Sequence, residues 1–126
     1  MRDVLGGYKI CITIPIDKRS VLANEEGKIM SAYVLAQLQI DDPDEYQNYL
    51  AGFMPIFERH GGELLATSKN LTIVVEGSWA YPGTVIMKFP SVESAQAWCD
   101  DPDYQALAEH RHRSARANLV IVEGIS

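Results

Sequence analysis

The sequence predicts an α+β domain of order β-α-β-β-α-β, with one helical layer packed on an antiparallel sheet. Three observations carry this reading. From residue 32 onward the apolar pattern switches between a period of two and a period near 3.6. Asp-Pro pairs at 42–43 and 101–102 each set N-cap chemistry ahead of a helical stripe. Gly61-Gly62 stops the first stripe, and short runs rich in β-branched residues follow it.

Each element follows in order. Ala32 to Ile40 reads as a strand whose one face, Val34, Ala36, Leu38 and Ile40, is wholly apolar, while Tyr33, Leu35, Gln37 and Gln39 form the other. Asp42 is the predicted N-cap of a helix, Pro43 its first residue, and Glu45 the partner in a capping box. Tyr46, Tyr49, Leu50, Phe53 and Phe57 recur at helical spacing and define its buried stripe. Pro55 should kink or split this helix, because it removes one backbone hydrogen bond. Residues 63–68 and 71–76 read as strands joined by a turn at Lys69-Asn70, and 77–83 as an irregular loop.

Residues 84–89 form the next strand. Ser91 caps a helix carrying Ala95 and Trp98, and Asp101-Pro102 starts a second helical piece. Residues 118–123 make the last strand. The Asp-Asp-Pro-Asp echo at 41–44 and 100–103 is repeated capping chemistry rather than an internal repeat, since one copy follows a strand and the other a helix.

This order is the ferredoxin-like arrangement, with a split second helix. A single helical layer leaves one sheet face open, and that face should be polar if it meets water. Instead Val85, Met87 and Phe89 alternate with Ile86, and Leu119 and Ile121 with Val120 and Val122, so both faces are apolar. Such a patch marks an interface, and a homodimer pairing the two sheets face to face covers it.

Composition narrows the function classes. One domain suits 126 residues, and this length buries enough surface to fold without a disulfide or metal. The chain holds 17 acidic against 11 basic residues, a net charge of −6. That balance argues against nucleic acid and anionic membranes, and the sheet lacks the basic, aromatic face that RNA recognition requires. Cys11 and Cys99 show no zinc spacing, no run approaches a membrane span, and the start lacks a signal-peptide pattern. A cytoplasmic location with free thiols is the expectation.

Residues 1–29 stand apart as an N-terminal extension to a domain at 30–126. Tyr8, Ile10, Ile12 and Ile14 alternate with Lys9, Cys11 and Thr13 as in a half-buried strand ended by Pro15. Two readings are open. The segment is either an added strand, for the sheet or a partner, or a translated leader. Purine-rich codons for Glu25-Glu26-Gly27 would then precede a natural start at Met30.

From about Ser31 to Ile125 the chain resembles an uncharacterised bacterial family of small dimeric α/β-barrel proteins, a domain-of-unknown-function family. The resemblance rests on Ala32-Tyr33-Val34, Asp42-Pro43 with Tyr46 and Tyr49, His60-Gly61-Gly62, Glu76-Gly77, Trp79 and Pro82. It continues through Phe89-Pro90-Ser91, Ala95, Trp98, Pro102, Tyr104-Gln105, Arg111, Arg113, Ala115 and Val122-Glu123-Gly124. It implies a dimeric α/β barrel. Wider relatives of the family include cofactor-independent monooxygenases, haem-degrading enzymes and lactone isomerases, which place a small-molecule pocket between helices and sheet. Any one of those reactions would be an analogy at the level of fold.

The densest chemistry is His110-Arg111-His112-Arg113. On a helix at about 100° per residue, Tyr104, Leu107, Ala108, Arg111 and Ala115 share the inward stripe. Arg111 is thus a permanent cation aimed at the interior, and it needs a partner there. That partner is either a carboxylate of the chain, Glu76 or Glu123, or the carboxylate or enolate of a ligand. Arg113 faces water, within reach of Glu109, and His110 and His112 diverge, which disfavours a shared metal. His60 is either a cation at a helix C-terminus or an acid/base at the edge of a pocket.

Trp79, Tyr33 and Gln37 are candidate walls and polar contacts of the same cavity. No P-loop, dinucleotide fingerprint or Ser-His-Asp order is present, and neither a cofactor nor a metal is expected. The expectation is a protein that binds a small organic acid or enolisable compound, with or without cofactor-free turnover. The alternative is a non-catalytic ligand-binding or structural homodimer.

Overall fold

A computed structural model describes residues 29–126; the readings made for the extension before Ile29 lie outside the described residues. Strand β1 (Ala32–Ile40) is followed by helix α1 (Pro43–Arg59), β2 (Glu63–Ala66), β3 (Gly83–Phe89), α2 (Val92–Asp100), α3 (Pro102–Ser114) and β4 (Ala115–Glu123). The sheet order is β2-β3-β1-β4, antiparallel throughout, which is the ferredoxin-like topology. Among the described residues, β1 and β3 are central and β2 and β4 are edges.

Alternation along β1 sets the two faces. Ala32, Val34, Ala36 and Leu38 are buried under the helices with Met87 and Phe89 of β3. The residues between them, Tyr33, Leu35 and Gln37, pair across the sheet with Lys88, Ile86 and Thr84 on one side and Val122, Val120 and Asn118 on the other. The open face is therefore apolar at one end, around Leu35, Ile86, Val120 and Val122. At the other end it is polar, where Asn118 donates to Gln37 at 3.1 Å.

The helical layer closes on an aromatic core. Phe57, Phe89 and Trp98 are fully buried, with Phe57 and Phe89 edge to face at 5.3 Å. Burying each such ring is worth roughly 2–3 kcal/mol. Gly62 lets the chain pass this core, because a Cβ there would lie 2.4 Å from the Phe57 ring. Gly61 takes the left-handed conformation expected of a helix stop (φ 80°).

Asp42 caps α1 by accepting from the Glu45 amide at 3.2 Å, and Ser91 caps α2 in the same way. Asp101 ends α2 and caps α3, accepting from the Asp103 amide at 2.8 Å.

Leu50, expected in the buried stripe of α1, is exposed, and Ala115, expected on the helical stripe, instead begins β4. Three further details depart from the expectations. Residues 71–75 form no strand, although their pattern is that of one. Pro55 lies inside an unbroken α1; it and Ala51, whose carbonyl it leaves unbonded, are exposed, so water can satisfy that oxygen. Glu45 does not close a capping box. The Asp42 amide instead donates to the Ser114 carbonyl at 3.0 Å, and the Glu45 carboxylate reaches across to α3. No helix among the described residues is long and apolar enough to cross a membrane.

Candidate functional site

Helices α1 and α3 run antiparallel, tied at both ends. At one end the Asp101 carboxylate accepts from His60 Nε2 and from Arg59, each at 2.7 Å. At the other the Glu45 carboxylate accepts from His110 Nδ1 at 2.6 Å and from Arg113 at 2.9 Å. These bonds, from His60 first and Arg59 next, hold the Asp101 carboxyl well below the usual carboxylate range. His110 and then Arg113 lower that of Glu45.

Between the clamps lies a cluster of Tyr46, Tyr49, Tyr104 and Arg111. The three tyrosines are buried, and the Tyr49 and Tyr104 hydroxyls stand 2.7 Å apart. Arg111 lies over the Tyr49 ring, its guanidinium carbon 5.6 Å from the centroid. Burial works against this cation, but the Tyr104 and Tyr49 hydroxyls facing it more than offset the penalty, so its pKa is raised. Burial is also the main reason that the Tyr49 phenol holds its proton well above its ordinary range. Arg111 Nε is buried and, among the described residues, has no hydrogen-bond acceptor. Among the described residues no carboxylate forms an ion pair with Arg111, so neither Glu76 nor Glu123 meets it.

The cationic run divides as helical geometry requires. Arg111 turns inward, His110 and Arg113 serve Glu45, and His112 is exposed, 3.7 Å from Glu109. Arg113 therefore pairs with Glu45, not with Glu109. Among the described residues no group of three or more His, Cys, Asp or Glu could hold a metal.

The remaining candidates lie apart from Arg111. His60 is tied to Asp101, ten residues before Arg111 on α3, which separates the two by about 15 Å along the helix. A small ligand cannot bridge that span. Tyr33 and Gln37 lie on the open face, with the sheet between them and the Arg111 cluster. Trp79 belongs with them, its indole N–H donating to Thr84 Oγ1 at 3.2 Å.

Sequence reasoning missed Tyr49 and Tyr104 as members of the site, since both read as core-stripe residues. The available signal was chemical. A buried tyrosine hydroxyl needs a partner, and these two share their stripes with an inward arginine.

Residues 31–125 match the family described as Domain of unknown function (DUF1330), and the chain belongs to that family. No curated protein matches it. Its fold is similar to that of the RPA0582 protein of unknown function from Rhodopseudomonas palustris. The TM-score is 0.63 at 19% identity, over 84% of this chain and 92% of that one. It is also similar to SnoaB, a cofactor-independent oxygenase from Streptomyces nogalater. There the TM-score is 0.52 at 9% identity, over 77% of this chain and 95% of that one. At these identities the likeness concerns the fold.

Proposed function

We propose that the protein binds a small organic acid or enolisable molecule at the cluster between α1 and α3, with Arg111 holding the anionic oxygen. The observation that carries this reading is Arg111 Nε, a buried donor on a permanent cation, without an acceptor among the described residues. A buried donor left unsatisfied costs about 1–3 kcal/mol. The Tyr49 and Tyr104 hydroxyls share one hydrogen bond, which leaves one further O–H donor, and their own oxygens are the acceptors at hand. A cluster richer in donors than acceptors suits an oxygen anion, either a carboxylate or an enolate. SnoaB, a cofactor-independent oxygenase, supports the reading only as an example of small-molecule chemistry on this fold.

One observation favours binding without turnover. Among the described residues the cluster holds no ready base, since the Tyr49 proton is held more tightly than usual and His60 is engaged by Asp101 at the far end of α3.

The protein acts, in the same proposal, as a homodimer that buries its open sheet face and so completes an α/β barrel. Half-exposed Val120 and Val122 beside Leu35 and Ile86 support this. Tyr33, Gln37 and Trp79 would then line the space between subunits rather than the Arg111 cluster.

A thermal-shift screen of the full chain against small carboxylic acids, quinols and haem tests the binding site, with Arg111→Ala as control. One class should raise the melting temperature of the wild type and leave the variant unmoved. Stabilisation of neither protein by any class would leave the structural dimer as the function.

A further inference from the structure

Residues 71–82 form a strap between β2 and β3. It is tethered by Thr72 Oγ1 donating to Thr84 Oγ1 at 2.8 Å and by Trp79 donating to the same oxygen. Its far end reaches β4, where the Arg116 guanidinium lies 5.8 Å from the Tyr81 ring centroid. Thr84 pairs with Gln37 on the open face, so the strap borders that face at its polar end.

The first five residues, Leu-Thr-Ile-Val-Val, carry no charge, no glycine and no proline, and four of them are β-branched. That composition fits a strand. Yet the segment pairs with no strand among the described residues, and Leu71, Ile73 and Val75 are 85%, 71% and 90% exposed. Thr72 is pinned, so this exposure belongs to a held segment rather than a loose tip.

At the opposite edge of the sheet, β4 has nine residues and, among the described residues, a neighbour on one side only. Val120 and Val122 make this edge apolar too. A long apolar edge is a liability unless something covers it. Among the described residues there is therefore a strand-like arm without a partner strand and a strand edge without a neighbour.

We propose that residues 71–75 are an exchange arm that lies along the β4 edge of a second copy of this chain. A two-fold axis satisfies both needs at once, because each copy gives its arm and receives the other's. Backbone hydrogen bonds supply the attachment, and the apolar side chains supply the buried area. The arm borders the open face, so this contact continues the dimer proposed above and rests on that reading.

The test is sedimentation equilibrium of the full chain, with hydrogen exchange read at residues 71–75 and along β4. The wild type should be a dimer with both segments protected. Ile73→Asp and Val75→Asp together should weaken association by roughly 30-fold or more and remove both protections. Ile125→Asp, an equally exposed apolar position outside the arm, should change neither. A dimer unaffected by the two arm substitutions would overturn the arm and leave the sheet-face dimer standing. A wild type that stays monomeric would overturn both. A monomer with residues 71–75 protected would assign their cover to another part of the same chain, which also overturns the proposal.

Discussion

The hydroxyls of Tyr49 and Tyr104 meet at 2.7 Å across the seam of α1 and α3, joining residues 55 positions apart in the chain. Both rings are buried, so neither hydroxyl can replace the other with bulk water. Removing one hydroxyl leaves its mate wanting a partner. Tyr49→Phe and Tyr104→Phe should each lower stability by about 1–2 kcal/mol. The double variant should lose less than the sum, because it strands neither group. Urea unfolding of the four proteins checks this, and strict additivity would mean that the two hydroxyls act independently.

Arg111 makes an opposite forecast. In the absence of ligand its buried Nε is a burden, partly offset by the Tyr49 ring. Arg111→Met keeps the length and removes both the charge and the stranded donor, so its melting temperature should match or exceed that of the wild type. The same variant should lose the response to any anion that stabilises the wild type. A loss of more than about 2 kcal/mol without ligand would instead mark Arg111 as structural.

Acid should loosen both ends of α3. The Asp101 and Glu45 carboxyls titrate below their ordinary values. Their contribution to stability is complete above the unfolded carboxylate pKa of about 4. It disappears as the pH falls through the lower, folded values. Asp101→Asn, which can still cap α3, should melt earlier at pH 7 and show a flatter decline between pH 4 and 2. Parallel wild-type and variant curves over that range would remove Asp101 as the source.

Gly62→Ala should destabilise the fold by about 1–3 kcal/mol, the usual effect of overpacking a filled core. The added methyl would meet the ring of Phe57, which is fully buried and packed among Phe53, Phe89 and Trp98. Calorimetry resolves a change of that size, and an unchanged melting temperature would mean that the ring can yield.

What the sequence disclosed follows the range of each interaction. Caps, the left-handed Gly61 and the inward turn of Arg111 depend on neighbours within a turn or two, and all were legible. The pattern at 71–75 has the composition of a strand because propensity is local, whereas pairing needs an edge elsewhere. Glu45 fits a capping box three residues wide by its spacing, but its carboxylate meets His110, 65 positions away. His60 reads from the sequence either as a cation at a helix end or as a pocket residue, and nothing near it in the chain announces its partner Asp101. The two tyrosine hydroxyls are the same kind of case, since each stripe was visible but not their meeting.

The clamps at the two ends of α3 also fix where everything between them can be. Sliding α3 by one turn along α1, about 5.4 Å, would part His60 from Asp101 and Glu45 from His110 in a single step. The helix pair therefore has one register, and Arg111 stands at a set height above the Tyr49 ring, like a mark on a ruler pinned at both ends. A ligand that reaches Arg111 must find its room by moving side chains, because the backbone on either side of the seam is already spoken for.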